Sequence, residues 1–187
     1  MRLKIAHDTT YRFNPPMRGV VQSHRLTPSA FEGQSVINWS VAIDESERGA
    51  SFRDGAGDWI DTFTVMGPVD DLVVAVTGEV ETVDLGGVLR GHREKMVPAA
   101  YLRPTHATKP DRKIAELAAD TVADIPVADA LARAHALCQA VAGAIAYTPG
   151  QTASGTRAAE ALALGHGVCQ DHAHIFCTAA RLLDVPA

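Results

Sequence analysis

The sequence predicts an α+β protein: an antiparallel β-sandwich over residues 1–105, then a helical unit over residues 106–187. Two observations carry that division. Apolar residues fall at every second position through the first half, and after Pro104 they recur at helical spacing. A third observation gives the second half its chemistry: a glycine-flanked cysteine opens the last apolar helix.

Each element follows from local pattern. Leu3, Ile5, His7, Thr9, Tyr11 and Phe13 share one face of a strand that Pro15-Pro16 is expected to stop. Val20 to Leu26 resumes an extended run up to Pro28, and Ile37, Trp39, Val41 and Ile43 alternate again. The cluster Asp54-Gly55-Ala56-Gly57-Asp58 reads as a turn. Trp59 to Met66 and the valine-rich run Leu72 to Val83 read as two further strands, and short strands between turn signals suggest a sandwich. Asp111 to Val122 is helical, with Ile114, Leu117 and Ala118 on one face, until Asp124-Ile125-Pro126 breaks it. Val127 to Ile145 predicts an alanine-rich helix with Leu131, His135, Cys138, Ala142 and Ile145 on its buried stripe. Thr156 or Ser154 caps a short helix through Leu164, followed by Gly165, and a last helix runs from Cys169 to about Leu183.

Bulk properties narrow the function. The chain has 187 residues, 47% apolar and 21% charged, ordinary values for a water-soluble fold. A net charge of -5 without any Lys/Arg cluster argues against nucleic acid or an anionic membrane as partner. Met1 to Phe13 alternates and carries no apolar h-region, so neither a signal peptide nor a membrane span is expected. Cys138, Cys169 and Cys177 are too few and too odd in number for a disulfide framework, which points to the cytoplasm.

The run Gly165-His166-Gly167-Val168-Cys169-Gln170-Asp171-His172-Ala173-His174 is where the chemistry concentrates. Free N–H groups in a first helical turn favour negative charge on sulfur and can hold a developing oxyanion. Cys169 is therefore the candidate nucleophile, with its own N–H as oxyanion donor and Gln170 as a weaker candidate for that role. Asp171 suits the helix start, and His174 is read as a buried hydrogen-bonding residue that fixes the helix. The plain alternative is a buried structural thiol, the commoner fate of a free cysteine. A helix N-terminus is worth only about 0.3–1 kcal/mol to a nearby anion, so an imidazole partner is needed as well. His172, one turn along, and His166, in the preceding loop, are weaker candidates for it.

A zinc site at Cys169, His172, His174 and Cys177 has the right ligand types but not the spacing. On one helix residues 172 and 174 point about 200° apart. A non-catalytic interaction module built on exposed strand edges is the other alternative.

Three runs bear on the family: Ala146-Tyr147-Thr148-Pro149-Gly150-Gln151-Thr152, then Thr156 with Glu160-Ala161-Leu162, then Gly167-Val168-Cys169-Gln170-Asp171 with Ala173-His174. Weaker markers are Thr10-Tyr11-Arg12-Phe13 with Pro16, Leu26-Thr27-Pro28 and Tyr101-Leu102-Arg103-Pro104. With these the chain resembles the bacterial transglutaminase-like proteins, whose core is related to papain-type cysteine proteases. The resemblance implies the helical part of a papain-like core behind a β-domain. It also implies a Cys-His-Asp triad with Cys169 as nucleophile, and acyl transfer or hydrolysis at amide bonds of a protein or peptide substrate. Gly167, Gln170, Asp171 and His174 are its supporting motif residues. No metal or organic cofactor is implied; calcium enters by family analogy alone, with no acidic loop here to support it. The family's His-Ala-Trp and Asp-Pro segments have no match before Ala187, so the resemblance implies a truncated chain, inactive alone. An exposed apolar surface at Leu182, Leu183 and Val185, able to make a homo-oligomer, is the corresponding expectation.

Overall fold

A computed structural model describes residues 1–92 and 95–187. They form two compact units, Met1–Met96 and Val97–Ala187. The fold is α+β, with an antiparallel sheet in the first unit and helices dominating the second. Among the described residues no helix is long and apolar enough to cross a membrane.

Among the described residues four strands make the first unit: β1 (Arg2–His24), β2 (Gln34–Ile43), β3 (Ser46–Arg53) and β4 (Trp59–Thr82). They hydrogen-bond into one continuous antiparallel sheet around β4. β1 lies along one side of β4 from Arg2↔Glu81 to His24↔Asp61. On the other side β2 pairs with residues 74–82 and β3 with residues 59–65. Ile43, Phe63, Val65, Val69, Leu72 and Val74 form one buried cluster.

Several sequence expectations change here. Pro15-Pro16 does not stop the first strand; β1 carries both prolines through an irregular stretch where the register shifts between Arg12 and Met17. Proline lacks an N–H, and a register shift is where the ladder does not need one. The two strands expected within residues 59–83 are the single strand β4. Gly67 permits this, since a Cβ there would stand 2.4 Å from the backbone of Arg18 and Met17. Ile37 leaves the face of Trp39, Val41 and Ile43, because a bulge between Val36 and Asn38 inserts one residue; it is 46% exposed. β3 escapes sequence reading altogether. Ser46–Arg53 has no buried residue, and its ladder with β4 holds it. The turn at residues 54–58 forms as read, with Asp54 Oδ1 accepting from the N–H of Ala56 and of Asp58, both at 3.0 Å.

The second unit contains α1 (Arg112–Thr121), α2 (Ala130–Ala144), β5 (Ala146–Tyr147), α3 (Ala158–Leu164), β6 (His166–Gly167) and α4 (Cys169–Leu182). Its core joins Ile114 and Ala118 of α1, Leu137 and Val141 of α2, Ala158 and Ala161 of α3, and Ile175 and Ala179 of α4. The buried stripe of α2 differs from the expected one. It is Arg133, Leu137 and Val141, while Leu131, His135 and Cys138 are exposed. Alanine on every side leaves that helix's face weakly marked, and a charged residue inside the stripe hides it further. Neither Thr156 nor Ser154 caps α3; Thr156 Oγ1 accepts instead from Ala153 N–H at 2.9 Å.

The apolar surface expected at the end of α4 is partly covered, with Leu183 and Val185 half-buried. Asp184 adopts a left-handed φ of 57°, Val185 N–H donates to Ala180 O and Asp184 N–H to Arg181 O, a Schellman ending that folds the chain back. Leu183, Val185 and Ala187 pack on the core, leaving Leu182 exposed at 42%.

Candidate active site at the start of the last helix

A short reversal presents Cys169. α3 ends at Gly165, whose φ of 71° turns the chain. β6 then lies parallel to β5, with Ala146 N–H on Gly165 O at 2.9 Å and Thr148 N–H on Gly167 O at 2.8 Å. Val168 is extended, and Cys169 is the first residue of α4, with an exposed side chain.

A buried carboxylate clasps this start. Asp171 is 1% exposed. Its Oδ2 accepts from Val168 N–H at 2.8 Å and from Thr152 Oγ1 at 2.6 Å. Gln170 Nε2 donates to Ser154 O at 3.1 Å. Together they tie the loop after β5 to the first turn of α4. Gly167 makes room for the clasp, because a Cβ there would stand 2.6 Å from Asp171 Cβ and 2.8 Å from its Oδ2.

The helix start leaves donors unused. α1 and α2 begin with aspartates that accept a first-turn N–H: Asp111 from Ile114 at 2.9 Å, and Asp129 from Ala132 at 3.0 Å. α4 begins at Val168, which has no side-chain oxygen to do so, and Asp171 reaches back to Val168 rather than forward. The N–H groups of Cys169 and Gln170 have no intrahelical acceptor and no cap to take them. They are oriented donors beside the sulfur, at the positive end of the helix.

The nearby imidazoles are engaged. His172 Nδ1 donates to Val168 O at 3.0 Å, which leaves Nε2 free of the backbone, and its ring lies 6.4 Å from that of Tyr147 at a 35° tilt. His166 Nδ1 bonds Thr148 Oγ1 at 3.1 Å. Among the described residues no histidine nitrogen bonds the Cys169 sulfur. The hydrogen bond expected from the His174 ring is not made at Nδ1, which is buried without a partner. Asp171 Oδ1 is likewise buried and unpartnered. Cys138 does not face the core but is exposed, and Cys177 is half-buried. Among the described residues no three His, Cys, Asp or Glu side chains converge as metal ligands, so the four-residue zinc cluster does not assemble.

Thr152 and Tyr147 belong to this site and were not singled out individually from sequence; Ser154, which also belongs to it, was read only as a helix cap. Their run was legible; its pairing with residues 168–172 is tertiary.

Comparison with known proteins gives this geometry a family. Residues 3–81 match the bacterial transglutaminase-like N-terminal region, and residues 117–187 match the transglutaminase-like superfamily. The two matches, one in each unit, make the chain similar to bacterial transglutaminase-like proteins along most of its length. An uncharacterized protein of Mycobacterium leprae is 26% identical over 200 residues, an alignment covering 99% of this chain and 68% of that protein. A crystal structure titled "Putative Cysteine Protease from Cytophaga hutchinsonii" superposes with a TM-score of 0.77 at 20% identity. That superposition covers 100% of this chain and 65% of the solved one, so the chain spans about two thirds of the length of both proteins. The likeness to the solved structure establishes a shared fold.

Proposed function

We propose that Cys169 is the nucleophile for acyl transfer at amide or peptide bonds of a protein or peptide substrate. The observation that carries the proposal is an exposed thiol at the head of a helix whose first-turn N–H groups are left uncapped. Sulfur attacks the carbonyl carbon, and a C–S bond forms. The carbonyl oxygen becomes an oxyanion facing the N–H groups of Cys169 and Gln170. The C–N bond then breaks, the departing nitrogen takes a proton, and a thioester remains on Cys169. An amine or water attacks the thioester and releases the thiol, giving crosslinking, deamidation or hydrolysis.

Efficient turnover requires an imidazole at the sulfur to move these protons. His172 and His166 hydrogen-bond elsewhere, so this chain by itself is expected to acylate more readily than it releases. An activated ester, whose leaving group needs no proton, isolates the acylation step. Incubation with p-nitrophenyl acetate followed by peptide mass spectrometry should find acetyl on Cys169 in preference to Cys138, and none at that peptide in Cys169→Ala. Equal acetylation of Cys169 and Cys138, or none on Cys169, would refute the proposal.

A further inference from the structure

Beside the thiol stands a feature that the acyl-transfer chemistry does not use. Tyr147 is 66% exposed although it lies on β5, which is braced to the segment leading into Cys169. Its Cα partner is Gly167, two residues before the cysteine. His172 lies one turn beyond Cys169 on α4, and residues three apart share a helix face. The His172 ring is held by Val168 O, the carbonyl immediately before the cysteine, and tilts 35° to the Tyr147 ring at 6.4 Å between centroids. Two neighbouring aromatic rings therefore stand on the elements that adjoin Cys169, one on the strand paired with the segment before it and one a helical turn beyond it.

We infer that Tyr147 and His172 form a substrate subsite that takes an aromatic side chain adjacent to the attacked carbonyl. The inference rests on Cys169 being the attacking group, and it adds the preference for what lies next to the amide. Three features support it. An exposed tyrosine offers a large contact area at small conformational cost. The His172 hydrogen bond keeps its ring from rotating away, so the wall is organised before a ligand arrives. The splay between the rings suits an offset or edge-on third ring better than a sandwich. The tyrosine hydroxyl and His172 Nε2 add polar edges, so a ring with a polar rim fits as well as a plain one.

The test uses the chain itself and two reagents with the same reactive carbon. Iodoacetamide and N-benzyliodoacetamide are reacted separately, and alkylation rates at Cys169 and Cys138 are read from the same molecules by peptide mass spectrometry. The benzyl-to-plain rate ratio at Cys169 should exceed the ratio at Cys138 by about three- to tenfold, the scale of one good ring contact. Tyr147→Ala should bring the Cys169 ratio down to that of Cys138, while Tyr147→Phe keeps it raised. His172→Ala should lower it partly. Equal ratios at the two cysteines, or a Cys169 ratio indifferent to Tyr147→Ala, would overturn the subsite. The plain-reagent rates report separately on the nucleophile: a Cys169 no faster than Cys138 would defeat that reading, while the ratio would still decide the subsite.

Discussion

Helices α2 and α4 each expose a cysteine, and they differ in what surrounds the sulfur. Cys138 sits mid-helix on α2, where every backbone N–H is already committed to the helix. Cys169 sits at the first position of α4, where they are not. α2 is capped by Asp129 and needs nothing further to start. α4 forgoes a forward cap and is held from outside by Asp171, Thr152, Gln170 and Ser154. Both helices leave the N–H groups of their first two residues without an intrahelical acceptor; α2 sets the Asp129 carboxylate in front of its start, whereas α4 has no side-chain acceptor there, places a cysteine at that point and is supported by a neighbouring loop. Exposure alone therefore does not distinguish the two thiols. The hydrogen-bond pattern of the backbone does.

The sharpest way to break this contrast is Gly167→Ala. The new methyl would collide with Asp171, and we expect a loss of about 3–4 kcal/mol in the second unit by chemical denaturation. The Cys169 alkylation rate should fall to that of Cys138. In α2, a methyl added at Gly143 would meet nothing within 4 Å, so the same exchange should do the opposite there. Asp171→Ala comes next. It strands the Val168 N–H and the Thr152 hydroxyl and should cost about 2–3 kcal/mol, with Cys169 labelling slowed more than Cys138 labelling. Asp129→Ala removes the cap of α2 and should cost about 1 kcal/mol without altering the ratio of the two labelling rates. Gly143→Ala should stabilise by about 0.5–1 kcal/mol in the same assay.

The smallest effect extends the contrast to the two units. Burial in the sheet unit pushes the His24 imidazole below its usual range, although Asp61 opposes that shift. Burial raises Asp61, but hydrogen bonds from Ser51 and Arg48 prevail and hold it below the ordinary carboxylate range. Both groups bind protons more weakly folded than unfolded. Their contributions are present above the unfolded values and are lost as pH falls, first below about 6.5 for the histidine and then below about 4 for the aspartate. In the helical unit Glu160 is lowered by its hydrogen bonds with Arg157, but that pair is solvent-exposed and contributes little. Acid should thus unfold the sheet unit before the helical one. Fluorescence of Trp39 and Trp59, both in the sheet unit, against helical circular dichroism measures the order of loss.

The same contrast explains what was legible beforehand. The start of α4 was readable because Gly165, Gly167 and an apolar run after Cys169 are local signals. The stripe of α2 was not, because Ala is compatible with any face and buried Arg133 looks like a surface residue. β1 was divided at Pro15-Pro16 because a proline normally ends a strand, and β4 was read as two runs, Trp59 to Met66 and Leu72 to Val83. Only the partner strand reveals that both breaks fall in one irregular stretch of the ladder. β3 has no apolar alternation and exists through its ladder with β4, an interaction that single-chain periodicity does not encode. At the site, Cys169 and Asp171 were visible as residues. The clasp was not, because Thr152 and Asp171 meet across 19 positions of sequence.

The most direct measurement is a competition between the two exposed thiols in the native chain. Limiting isotope-coded iodoacetamide, quenched early, gives both rates from one sample. If the uncapped start of α4 poises Cys169, it should alkylate at least about threefold faster than Cys138, and the advantage should vanish in denaturant. Equal rates in the folded protein, or a faster Cys138, would contradict the central claim.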